Sequence, residues 1–249
     1  MMKTRAIILV MLLCAGTAFA KSPAPSAAIV QKCPSNGPQL GDWAQIIRYA
    51  GEDARVPGPT KNELRVVFMG DSITDFWGRR AGVFFPGKPY INRGISAQVT
   101  AQMLVRFRQD VIALKPRVVV ILAGTNDLAY GTDPASMNMI EGNLSSMSEL
   151  ARANGIKVVL ASVTPVNDYV QPDQTKVRPL DKILELNAWI KSYAQRAHVV
   201  YLDYYPALLD AHQQLKKALS DDGLHPNAAG YAVMAPLAQQ AIDEALAHG

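Results

Sequence analysis

Cysteine is almost missing from this chain: Cys14 and Cys33 are the only two in 249 residues. Cys14 falls in an N-terminal targeting segment, so Cys33 is left without a partner and no internal disulfide can staple the fold. Leu13 stands where lipid acylation of Cys14 would want a small residue, which disfavours a lipoprotein. Charge of one sign is scarce too. The formal net charge is +4, and Lys3 and Arg5 supply two of those charges, leaving about +2 on the processed chain. With no basic stripe carrying interleaved aromatics, a nucleic-acid partner is not indicated. His198 and His212 stand apart without metal-ligand spacing, so neither a metal nor another cofactor is expected. A phosphate-cradling glycine loop is absent. The Gly-x-Ser-x-Gly elbow of the α/β-hydrolases is absent as well. Asn143-Leu144-Ser145 fits a glycosylation acceptor, but it falls in a helical pattern.

The N-terminus carries a basic stretch, Met1-Met2-Lys3-Thr4-Arg5, then an apolar run over residues 6–15 and the small-x-small site Ala18-Phe19-Ala20. Residues 1–20 therefore read as a signal peptide cleaved before Lys21, and the protein as exported to the periplasm or beyond. The apolar run is too short to span a membrane comfortably, so no integral segment is expected after cleavage. Roughly 229 residues remain, enough for one large domain. Residues 21–60 read as a leader rich in Pro, Ser and Ala followed by an amphipathic helix over 42–49, and residues 61–249 as the domain itself.

Within that domain, short apolar runs at 65–69, 89–91, 117–123, 155–162 and 198–202 predict strands. Helical patterns over 100–113, 134–153 and 180–196 separate them, and a last helix spans 227–247 with Pro236 as a kink. This alternation predicts an α/β sandwich: a parallel sheet with helices on both faces. In such folds ligands bind at the carboxyl edge of the strands. Gly70-Asp71-Ser72-Ile73 lies there, where the first strand stops and a helix starts. Three further blocks follow strands or precede the last helix: Asn92-Arg93-Gly94-Ile95-Ser96, Gly124-Thr125-Asn126-Asp127 and Asp222-Gly223-Leu224-His225-Pro226. Residues 128–133 and 166–179 leave the same edge as candidate substrate-facing loops, although the second reads equally well as surface crossover.

In these four blocks, which occur in the family's order from Gly70 to Pro226, the chain resembles the GDSL or SGNH family of serine esterases and lipases. The resemblance implies a three-layer α/β/α fold with a five-stranded, flavodoxin-like sheet. It implies Ser72 as nucleophile, His225 as base and Asp222 as the carboxylate that orients the ring. Asp221 is adjacent, and residues alone do not decide which aspartate faces the imidazole; the family's spacing selects Asp222. The oxyanion donors implied are the N–H of Ser72, the N–H of Gly94 and the side-chain amide of Asn126. Ala97 departs from the glycine that many relatives carry after an Asn-Arg-Gly-Ile-Ser block. Asp71 is expected to accept hydrogen bonds from nearby loops, Asp75 to serve the first turn of its helix, and Asp127 to brace the Asn126 turn. The implied activity is hydrolysis of small-molecule or carbohydrate esters without a cofactor. The family's relatives resemble platelet-activating-factor acetylhydrolases and carbohydrate deacetylases. Lack of an extended apolar lid favours short acyl groups. Acyl transfer to another alcohol, and a non-catalytic glycan binder on the same fold, are the competing readings.

Overall fold

The computed structural model describes residues 41–247. The signal peptide, its cleavage site, the leader up to residue 38 and Cys33 lie outside them. Five strands form one parallel sheet: β1 (Val66–Gly70), β2 (Tyr90–Gly94), β3 (Val118–Leu122), β4 (Lys157–Ala161) and β5 (Val200–Leu202), ordered β2-β1-β3-β4-β5. The helices are α1 (Ala50–Asp53), α2 (Ser72–Phe76), α3 (Thr100–Asp110), α4 (Thr125–Tyr130), α5 (Pro134–Ala153), α6 (Gln174–Val177), α7 (Leu180–Ala197) and α8 (Ala228–Ala247). This is the expected doubly wound sandwich in flavodoxin-like order.

Every residue of β1 and β3 is buried, because each face of the sheet meets its own layer. Val67, Met69, Val119, Ile121, Val158 and Leu160 pack with apolar residues of α3, α5 and α7. The alternate set, including Val66, Phe68, Val118, Val120 and Leu122, packs with Met234, Ala238, Ala241 and Ile242 of α8. A single long helix cannot cover that second face. Residues 77–89 contain no helix, and their aromatics complete the layer. Phe68 lies 5.9 Å from the ring of Trp77, 5.1 Å from those of Phe84 and Phe85, and 6.0 Å from that of Tyr90.

The structure departs from expectation in four places. No helix spans 42–49: Gln45 has a left-handed φ of 54°, and Asp42 takes the N–H groups of Ile46 and Ile47 at 2.6 and 2.9 Å, leaving only a 3-10 turn over Ile46–Arg48. β2 runs on to Gly94, so the Asn92-Arg93-Gly94 block belongs to the sheet and not to the loop after it. Residues 125–130 form α4, and the apolar Leu128 is core, not substrate-facing. β5 starts at Val200 because His198 is left-handed, φ 53°, and caps α7. The last helix, α8, lies where expected, with Pro236 inside it.

Phe68→Ala should therefore remove the hub of four ring contacts, with a loss of about 3–5 kcal/mol of unfolding free energy in urea titration. A loss below about 1 kcal/mol would mean that the aromatic layer is not a packed core.

Candidate active site

The turn from β1 into α2 requires glycine at position 70. A Cβ there would lie 2.1 Å from Thr74 Oγ1 and 2.7 Å from the Leu122 carbonyl oxygen. Asp71 caps the helix, its Oδ1 accepting the Ile73 N–H at 2.9 Å. Ser72 opens α2 with only 7% of its surface exposed.

His225 arrives from a loop 153 residues away. Asp222 Oδ1 accepts the main-chain N–H groups of Leu224 and His225 at 2.9 and 2.8 Å, and Oδ2 lies 2.6 Å from His225 Nδ1. Burial pushes the Asp222 carboxyl upward, but the bonds from the His225 ring and the two amides outweigh it, holding the group below its ordinary range. An ionised carboxylate only accepts, so Nδ1 carries the proton that points at it. Nε2 is then left as acceptor for the Ser72 hydroxyl, 2.8 Å away. Phe76, one helical turn after Ser72, sets its ring 4.7 Å from the imidazole, and Arg80 covers the Phe76 ring at 3.9 Å. Asp221 accepts from Asn227 Nδ2 at 3.0 Å instead, so of the two neighbouring aspartates Asp222 is the one against the ring.

Gly94 requires a correction. Its N–H, expected as an oxyanion donor, is taken by Asn92 Oδ1 at 2.9 Å, while Asn92 Nδ2 donates to the carbonyls of Thr74 at 2.6 Å and Trp77 at 3.1 Å. Glycine is needed at position 94 for a different reason. A Cβ would fall 2.2 Å from Asp75 N and 2.6 Å from Thr74 C, where β2 passes against α2. Three residues on, exposed Ala97 holds a left-handed φ of 64°. An alanine adopts that conformation at a cost of about 1 kcal/mol.

Asn126 sits in the first turn of α4, 8% exposed. One Nδ2 hydrogen goes to the Gln98 carbonyl at 3.1 Å, and Oδ1 accepts from Arg178 Nη2 at 3.4 Å. An amide held at both ends in this way keeps one further N–H to offer. Asp127 caps the start of α3, accepting the Thr100 N–H at 3.0 Å and its hydroxyl at 2.5 Å. Asp75 accepts from Ser96 Oγ at 2.6 Å and pairs with Arg79 at 2.5 Å. Gln98 is itself held by buried Arg106, which also donates to the Gly70 carbonyl at 3.1 Å. Gln98, Arg106 and Arg178 were not found from sequence. Their signal is weak, because a polar side chain in a helix or loop reads as solvated until its burial is known. Phe76 was missed as well, although its i, i+4 spacing, which puts it on the face of Ser72, was a signal that could have found it.

The loop 166–179 is more than surface crossover. Asn167 N–H donates to the Gly223 carbonyl at 2.8 Å and Tyr169 OH to that of Ser220 at 2.6 Å, while Arg178 at its far end holds Asn126. Asp71 is fully buried, and its Oδ2 makes no hydrogen bond. Burial pushes its carboxyl up to about 7, with the charge of Asp127 adding to the rise and that of Arg178 opposing it.

A separate cavity of about 600 Å³, lined by Arg152, Lys157, His198 and Glu244 among others, lies at the opposite, amino edge of the sheet and contains no serine or cysteine. Among the described residues, no group of three or more His, Cys, Asp and Glu side chains is placed to hold a metal ion, and no helix is long and apolar enough to cross a membrane.

A parallel sandwich with a hydroxyl, an imidazole and a carboxylate hydrogen-bonded in series at the carboxyl edge of its sheet is the frame of an acyl-transfer site. The chain belongs to the GDSL-like lipase/acylhydrolase family, a family of carboxylic ester hydrolases, whose model matches residues 68–233. It is similar to a crystal structure described as an acylhydrolase from Bacteroides fragilis, with 44% identity over 83% of this chain and 99% of that one and a TM-score of 0.76. A GDSL-like lipase from Bacteroides thetaiotaomicron is likewise 44% identical, over 81% of this chain and 98% of that one, with a TM-score of 0.74. An acetylxylan esterase of Xylanibacter ruminicola is 24% identical across 82% of this chain. The chain spans 46% of that relative's length, and 32% of a Bacillus subtilis lipoprotein matched at 35% identity over 79 residues.

Two outcomes are expected from this geometry. Gly94→Ala keeps the main-chain N–H yet forces a methyl into the α2 backbone, so it should cost about 3 kcal/mol or more in thermal or urea unfolding. An alanine protein of normal stability would contradict the packing role. For Asp71, the native carboxyl keeps its proton to about pH 7 whereas the unfolded group ionises near 3.8, so the native state binds more protons in that window. Stability from this group therefore falls as pH rises from about 4 to about 7, and Asp71→Asn should flatten that decline in urea unfolding measured across pH.

Proposed function

We propose that this protein is an exported serine ester hydrolase that cleaves short acyl esters, acetyl esters foremost, through Ser72, His225 and Asp222. The 2.8 Å contact between Ser72 Oγ and His225 Nε2 carries the reading. Ser72 Oγ attacks the ester carbonyl while its proton passes to Nε2, giving a tetrahedral oxyanion. The C–O bond to the alcohol then breaks as the imidazolium returns the proton to the departing oxygen, leaving an acyl-Ser72. Water repeats the sequence and releases the acid. Asp222 keeps Nδ1 protonated and faces the positive charge that the ring acquires.

For the oxyanion, the N–H of Ser72 at the start of α2 and the remaining Asn126 Nδ2 hydrogen are the donors retained from the sequence reading. Gly94 leaves that set because its N–H is taken. The exposed left-handed Ala97 on the following loop is its replacement. Acetylated carbohydrate is the favoured substrate class, supported by the X. ruminicola acetylxylan esterase among the relatives. Export rests on the basic, apolar and small-x-small order of residues 1–20.

Nitrophenyl esters of increasing acyl length and acetylated xylo-oligosaccharides, assayed with wild type and variants, test the reading. Ser72→Ala should lower kcat at least about 10³-fold, and Asp222→Asn should do less damage. Activity should fall as acyl chains lengthen beyond about eight carbons. A Ser72→Ala protein of undiminished activity rejects the nucleophile; activity that climbs with chain length rejects the short-acyl preference.

A further inference from the structure

Arg178 is a buried cation of the polar layer beneath the proposed oxyanion site, and the proposed mechanism gives it no part in the chemical step. It ends the loop 166–179 and is only 9% exposed. Its Nε donates to the Thr125 carbonyl at 3.1 Å, Nη1 to Gln174 Oε1 at 2.6 Å and Nη2 to Asn126 Oδ1 at 3.4 Å. All three of these acceptors are neutral. Two of them belong to the pair Thr125-Asn126 that opens α4, so the guanidinium grips both the main chain and the side chain of the residue that offers the amide. Gln174, the third, is buried and tied to Gln171 at 2.7 Å, which fixes the guanidinium plane from the other side.

Keeping a guanidinium away from water against neutral partners is unfavourable unless its charge is used locally. The acid nearest in effect is Asp71, buried beside Ser72, and its carboxyl keeps its proton to about pH 7. An oxyanion forming above Ser72 would bring to the same region a negative charge for the guanidinium to face. A cation bonded to an amide oxygen also draws electron density from the nitrogen, which strengthens its N–H as a donor.

We infer that Arg178 is a positioning residue for transition-state stabilisation: it fixes the Asn126 carboxamide through its oxygen and polarises the Nδ2–H that meets the oxyanion. The inference rests on the ester-hydrolase reading above and goes beyond it, because it assigns the loop 166–179 a part in the chemical step. Since the oxyanion exists only during reaction, the effect belongs in kcat and not in KM.

Arg178→Gln should lower kcat for nitrophenyl acetate about 10- to 100-fold with KM within about twofold, and should slow fluorophosphonate labelling of Ser72 by a similar factor. In an Asn126→Ala background the same substitution should change kcat by less than about threefold, because its target is gone. Arg178→Lys, which keeps the charge but lacks the fork, should fall between. Should Arg178→Gln not fold, Arg178→Lys with and without Asn126→Ala carries the same comparison. Unchanged kcat, or a loss that persists at full size without Asn126, overturns the inference and leaves only a structural role. Undiminished activity in Ser72→Ala overturns the underlying reading; an inactive Ser72→Ala beside a normal Arg178→Gln overturns the Arg178 inference alone.

Discussion

The carboxylate of Asp222 is the fixed point of the site. By accepting two consecutive amides with one oxygen and the imidazole with the other, it closes its own turn and sets the ring in a single operation. The tautomer follows from charge, and the acceptor nitrogen is left facing the hydroxyl at the start of α2. The ring is partly exposed, and the Phe76 ring, the Asp222 bond and the Ser72 bond hold it against the entropy of a free side chain.

Under the sheet edge the blocks are connected by polar bonds more than by apolar contact. Asp127 ties α4 to α3 through Thr100, Gln98 joins the loop after β2 to Asn126, and Arg106 joins Gln98 to Gly70. The segment before β1 enters the same network. Tyr49 is fully buried, donates to the Gly94 carbonyl and receives Arg79 at 2.7 Å, and Gln98 donates to the Ala44 carbonyl at 2.8 Å. Such a layer is stable only when every member is satisfied. Buried atoms without a partner, among them Asp71 Oδ2, Thr125 Oγ1 and Asp110 Oδ1, are its exceptions, and that of Asp71 lies next to the residue proposed to do chemistry.

Much of this was legible beforehand, for identifiable reasons. Strands buried on both faces must be apolar throughout, so β1 and β3 were visible as short runs of Val, Ile, Leu and Phe. α5 and α7 were visible through their spacing. The candidate residues Ser72, Asn126, Asp222 and His225 were visible because the blocks that hold them resemble, in order, those of the GDSL family. Residues 42–49 misled because their helical apolar spacing was real, but Asp42 captured the amides a helix would have needed. Gly94 misled because a glycine at a sheet edge suits either close ligand approach or close backbone packing, and sequence does not separate them.

The sequence by itself determined the layers, the strand count and which chemical groups were available, since those depend on local periodicity and residue type. Tertiary structure alone decided partnership: that Asn92 occupies the Gly94 amide and that Arg178 reaches Asn126 from 52 residues away. Hydrogen bonds are short and directional, so which of two neighbouring groups makes one depends on placements of about an ångström that only the packed chain sets.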